Sequence, residues 1–109
     1  MKKLILTTCL TALLLTATAS VFTDGNSLHR RMTSGNHGDI MYAMGYVVGV
    51  VDTGNRFLFC IPNNSTVGQL HDMVRNYLTN VPAERHLGAD VIVTRVLAAS
   101  FPCAKGNGV

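Results

Sequence analysis

Apolar residues recur at steps of three and four between Thr66 and Val81, with Val67, Leu70, Val74, Tyr77, Leu78 and Val81 on one side. Gln69, Asp72, Arg75, Asn76 and Thr79 fall on the other. This is the period of an amphipathic helix with one covered face. Thr66 and Gln69 have the spacing of a capping box, in which the hydroxyl accepts from the amide three residues on and the glutamine reaches back. Pro82 ends the segment, because its ring cannot continue the hydrogen-bond ladder.

The stretch from Asp39 to about Gly54 reads differently, since it carries no charge between Asp39 and Asp52. Asp39 is placed to cap it, and Ile40, Met44, Val47, Val48 and Val51 share a face at helical spacing. Gly45 and Gly49 lie four apart and flatten a second strip, where a neighbouring helix can come close. Tyr46 to Val51 is rich enough in β-branched residues for a strand, but the longer window favours a helix. A further segment starts near Ala83 or Glu84 and runs to about Ser100, where Pro102 stops it. It is apolar on more than one side, through Val91, Ile92, Val93, Val96 and Leu97, so cover from a second copy of the chain is expected. Asp24 to Met32 is a short first helix, set off by the turn formers of Thr33 to Gly38, and Pro62 to Ser65 is a turn. The expected fold is therefore all-α, a small bundle of about four helices, homodimeric.

The N-terminus carries a targeting pattern: Lys2 and Lys3, an uncharged run from Leu4 to Thr18, then Ala17-Thr18-Ala19. Residues 1–19 are expected to be a signal peptide cleaved after Ala19, which leaves 20–109 as one domain. The apolar run is short of the roughly 20 residues a membrane span needs, and a lipidated Cys9 would sit inside it. Export to the periplasm with no membrane attachment afterwards is the expectation.

Losing Lys2 and Lys3 lowers the basic count from 9 to 7 against 6 acids, and the net charge from +3 to +1. The remaining cations are scattered, which argues against a nucleic-acid partner. Without Cys9, Cys60 and Cys103 are the remaining thiols. In an oxidising compartment they have one internal pairing, closing a loop of about 44 residues at about 4 kcal/mol in the chain-entropy picture. Two reduced thiols, or bonds between chains, are the alternatives.

Catalytic chemistry is hard to assemble from this inventory. His29, His37, His71 and His86 are far apart, and no His-x-x-x-His or Cys-x-x-Cys spacing suggests a metal. His71 and Asp72 are neighbours about 100° apart on a helix and read as surface residues. Glu84 is the sole glutamate, so a carboxylate dyad is not expected, and Cys60 is better read as bridged than as a nucleophile. The expectation is a binding protein with no cofactor, no metal and no catalytic residues. Asn80, Glu84, Arg85 and His86 stand at a polar connection between two helices and are the candidate partner-binding residues.

Gly45-Tyr46-Val47-Val48-Gly49-Val50-Val51-Asp52, Cys60-Ile61-Pro62, Thr66-Val67-Gly68-Gln69-Leu70, Tyr77-Leu78 and Phe101-Pro102-Cys103 follow one another in an order that resembles the Rap/Tai immunity group. The resemblance spans about Gly25 to Cys103. It implies an all-helical homodimer with a disulfide joining Cys60 to Cys103. It also implies a periplasmic protein that neutralises a peptidoglycan amidase effector of the type VI secretion system by pressing a helix and a loop into the amidase groove. Many members carry a second cysteine pair tying the first helix to the Gly-Tyr helix, and its absence here predicts a looser first helix. The reading from another class is a small periplasmic stress protein or chaperone. Few histidines lie on the helices, so a steep acid trigger for such a role is not strongly encoded.

Overall fold

The computed structural model describes residues 21–104. The export segment expected over residues 1–19, with Cys9, lies outside the described residues. Four α-helices follow in order: α1 (Gly25–Thr33), α2 (His37–Gly54), α3 (Val67–Asn80) and α4 (Ala89–Ser100). Among the described residues no strand forms, and β pairing is confined to isolated bridges between Asp24 and Gly88 and between Asn55 and Phe59. Tyr46 to Val51 is helical throughout.

α3 forms as its pattern dictates. Thr66 accepts from the Gln69 amide at 3.2 Å and the Gln69 side chain accepts from the Thr66 amide at 2.9 Å, which closes the capping box. Leu70, Val74 and Leu78 are buried. His71 corrects the sequence reading: its side chain is buried rather than on the surface, only 4% exposed, and its Nδ1 lies 3.4 Å from the Asp72 carboxylate. Backbone positions 100° apart do not keep these two side chains apart, because the aspartate swings over the turn while the imidazole stays in the core.

α2 begins at His37, two residues before the expected cap. Asn36 supplies the cap by accepting from the Asp39 amide at 3.1 Å, after a turn in which Gly35 takes a left-handed φ of 73°. Asp39 thus sits in the first turn, where its charge suits the helix N-terminus, and pairs with Arg31 at 2.9 Å. The buried stripe is also rotated from the expected one. Ala43, Val47 and Gly54 are buried, while Ile40, Met44 and Val48 are half-exposed. Gly54 fixes this rotation, since a Cβ there would lie 2.9 Å from the Phe59 ring, and Phe59 is fully buried.

The last helix starts later than expected. Pro82–Glu84 is a single 3-10 turn, and α4 begins only at Ala89. The intervening residues are diverted into pairing with the chain ahead of α1: the Gly25 amide donates to Leu87 at 2.9 Å and the Ala89 amide to Thr23 at 2.9 Å. These bonds satisfy backbone groups that would otherwise be left open at two helix N-termini.

The core joins all four helices through Leu28, Val47, Val74, Leu78, Ile92, Val93 and Leu97, with Phe59 filling the end near the disulfide. Each such side chain contributes about 1.5–3 kcal/mol by leaving water. Cys60 and Cys103 are joined across a sequence separation of 43 residues. α1 is fastened without a second disulfide, by Asn26 donating to the Arg85 carbonyl at 2.8 Å and by the Arg31–Asp39 pair.

Candidate functional site

Two connections stand out from the helical body. The first is the corner between α3 and α4, which holds all four candidate binding residues. Arg85 points inward: its Nε donates to the Leu78 carbonyl at 2.6 Å and its Nη2 to the Thr79 carbonyl at 3.3 Å. These carbonyls belong to the last turn of α3 and have no partner within the helix. Glu84 accepts from the Tyr77 hydroxyl. That bond, reinforced by burial, holds the phenol above its ordinary range. His86 is exposed and donates through Nδ1 to the Ala83 carbonyl at 2.9 Å.

Asn80 is exposed on the flank of a groove of about 530 Å³ between α3 and α4, with Met73, Tyr77, Arg95 and Val96 along it. The fold therefore gathers the four residues at one corner and gives them different work. Glu84 and Arg85 spend their polar groups on the protein itself, and Asn80 and His86 face solvent.

The second connection, Asn55 to Phe59, is a tight knuckle at the end of α2. Phe57 and Leu58 are 72% and 59% exposed, whereas Phe59 is fully buried beneath them. The backbone is clamped at several points. Leu58 donates to the Gly54 carbonyl at 2.9 Å, Arg56 to Phe59 at 2.7 Å, and the Asn55 side chain accepts from the Ile61 amide at 2.9 Å. Cys60 then donates to Phe101 at 2.8 Å beside the disulfide. Arg56 has φ of 75°, the sole non-glycine residue with positive φ among those described. Such a conformation persists only where its surroundings over-determine it.

Leu58 also borders an apolar groove of about 450 Å³ along the outer side of α2. Gly45 and Gly49 form its floor, and a Cβ built on either meets nothing within 4 Å. The two glycines expected to meet a neighbouring helix are therefore uncovered among the described residues. Tyr46, Val50, Thr94 and Asp90 complete the walls. Burial, and then the charge of Asp90, hold the Tyr46 phenol above its ordinary range.

The sequence reading assigned no role to Phe57 and Leu58. The available signal was the placement of two large apolar residues directly after Asn55-Arg56, at a helix end where solvated residues are the rule.

Among the described residues no group of three or more histidine, cysteine, aspartate or glutamate side chains could hold a metal. Both described cysteines are in the disulfide. His71 Nε2 is buried without a hydrogen-bond partner. The surface offers shape and apolar anchors, which are the means of binding a macromolecule. A family model described as Rap1a immunity proteins matches residues 15–103. None of the curated proteins compared matches the chain.

Proposed function

Because the chain belongs to the Rap1a immunity protein family, we propose that it is exported to the periplasm, pairs with a second copy of itself, and neutralises a peptidoglycan amidase effector of the type VI secretion system. Membership in an immunity family implies a cognate secreted effector as the bound partner. The amidase, the compartment and the paired state make up the finer reading.

The observation that carries it is the extent of the family match, which runs through all four helices and both disulfide cysteines. The mechanism is occlusion. An amidase must admit a peptide strand to a cleft, and a rigid protein seated over that cleft excludes the substrate without any chemistry of its own. Rigidity matters, because a preorganised surface loses less conformational entropy on binding. Here the disulfide and the backbone bonds of the knuckle supply it.

The test is coexpression in the periplasm with an amidase effector encoded beside it. The expected outcome is survival, an intact mass beginning at Ser20, and a stable complex on a sizing column. Continued lysis in cells that hold the exported, disulfide-bonded protein would overturn the proposal.

A further inference from the structure

Between α1, the first turns of α2 and the segment ahead of α1 lies a cleft of about 260 Å³, to which neither the knuckle nor the corner contributes. Arg30 and Arg31, in the last turn of α1, both line it. Cations suit the open carbonyls of a helix end, but that role asks for no cleft. Here Arg31 is fixed from two sides: Nη1 donates to Asp39 at 2.9 Å, and the guanidinium lies 4.0 Å above the Tyr42 ring. The Tyr42 hydroxyl is itself placed, 3.2 Å from that of Thr23, which is only 6% exposed. Thr23 in turn accepts from the Ala89 amide at 2.9 Å. A run of contacts from α2 through Arg31 and Tyr42 to the start of α4 therefore holds one wall in place before anything binds.

The other wall has donors to spare. Arg30 donates through Nη2 to the Ser27 hydroxyl at 3.3 Å and forms no ion pair among the described residues. A guanidinium presents a planar fork of donors that matches a carboxylate. The acids nearby are already engaged. Asp39 is neutralised by Arg31, and Asp24 accepts from the Ser27 amide at 2.8 Å as the cap of α1. The charge of Arg30 is thus left over, beside the hydroxyls of Ser27 and Tyr42. Phe22 stands fully exposed at the rim, an apolar surface that the body of a ligand would cover. The volume falls below the roughly 300–1,000 Å³ of pockets for drug-sized molecules, so the ligand that fits is no larger than an amino acid or a dipeptide.

We propose that this cleft binds a small carboxylate, the free C-terminus of an amino acid or dipeptide, seated on Arg30, the remaining donors of Arg31 and the Ser27 hydroxyl. The body of the ligand then lies against Phe22. Binding here requires no effector and no second copy of the chain, so it stands or falls apart from the immunity function.

The experiment is a titration of the exported, disulfide-bonded protein, followed by amide chemical shifts, with alanylalanine, its C-terminal amide and its N-acetyl form as probes. Alanylalanine and the N-acetyl form are expected to bind saturably, with a dissociation constant on the order of 1 mM, and to shift the amides of Ser27, Arg30 and Tyr42. The C-terminal amide, which lacks the carboxylate, is expected not to bind. Arg30 is exposed, so Arg30→Gln leaves the helical circular dichroism unchanged while it weakens binding roughly tenfold. Arg30→Lys recovers part of that loss, and Arg75→Gln, outside the cleft, has no effect. Added salt weakens the binding, as a charge contact at the surface requires.

Equal binding of the C-terminal amide, indifference to Arg30→Gln, or no saturation up to roughly 10 mM overturns the proposal. So does inorganic phosphate that binds in the cleft more tightly than any of the peptides, since the site is then one for phosphate. A parent protein that ignores all the peptides, with an Arg30→Gln variant that loses the effector, also overturns it and assigns the cleft to the protein partner.

Discussion

The knuckle after α2 and the corner after α3 are both short connections, yet they distribute their side chains in opposite ways. At the corner, the polar groups of Glu84 and Arg85 turn inward to complete Tyr77 and the carbonyls of Leu78 and Thr79. At the knuckle, backbone bonds and a buried Phe59 supply the order, and the large apolar side chains of Phe57 and Leu58 turn outward. The contrast teaches that residue type alone does not mark a binding surface. A charged residue whose hydrogen bonds are already made inside the molecule has little left to offer a partner. An apolar residue that is held exposed by its surroundings retains its full burial energy for one.

The comparison breaks most readily at the disulfide. Replacing Cys60 and Cys103 together by serine releases a constraint over a 43-residue separation, at about 4 kcal/mol, or on the order of 20 °C in melting temperature. Hydrogen exchange should show the amides of Arg56 and Leu58 losing protection before those of the corner. A melting point that stays put, or a corner that opens first, would mean that the knuckle does not draw its rigidity from the bridge.

Arg85→Met probes the other side, at about 1–2 kcal/mol. It keeps most of the apolar stem but leaves the Leu78 and Thr79 carbonyls without a donor. Chemical denaturation should show the loss, with an unchanged affinity for any partner that binds elsewhere. An Arg85 that is dispensable for stability and required for binding would reverse the assignment of the corner.

Arg56→Gly acts in the opposite direction and on a smaller scale. Left-handed backbone costs a residue with a Cβ about 1–2 kcal/mol, and glycine returns most of that as extra freedom in the unfolded chain. A net gain of about 0.5 kcal/mol is expected, read as a slightly higher denaturation midpoint. A loss would show that the arginine stem packs against the knuckle and that its strained conformation is more than compensated.

How much of this was legible in the sequence depends on where each element finds its cover. α3 is covered on one side by its own chain, so its period, its cap at Thr66 and its stop at Pro82 all pointed to one helix. α2 has apolar residues on every side, so its pattern indicated a helix and left the rotation undefined. Gly54 and Phe59 set that rotation through a contact that no local pattern contains. His71 was misread because the adjacent Asp72 marked it as polar, whereas Val67 and Val74, four before and three after it, share its side of the helix. The corner was located correctly as a place, but the inward turn of Arg85 depends on the end of α3 arriving beside it. The late start of α4 follows from bonds to Thr23 and Gly25, far off in sequence.

The smallest effect separates the two connections by pH. His29 on α1 faces the corner, with Nε2 3.1 Å from the Thr79 hydroxyl, and its pKa is lowered by burial and then by the charge of Arg85. A base with a lowered folded pKa prefers to stay neutral in the native state, while the unfolded chain takes up its proton near the ordinary value of 6.5. The contribution of His29 is therefore complete above that value and is lost as pH falls through it toward the folded pKa. Acidification from pH 7.5 to 5.5 should lower the denaturation midpoint slightly and loosen the last turn of α3 before the knuckle, where Asn55 to Phe59 include no histidine. His29→Gln keeps a polar group beside Thr79 and removes the titration, so the same pH step should then produce a smaller drop. If the variant and the parent respond alike, the acid response arises elsewhere, and the corner is no more sensitive to pH than the knuckle.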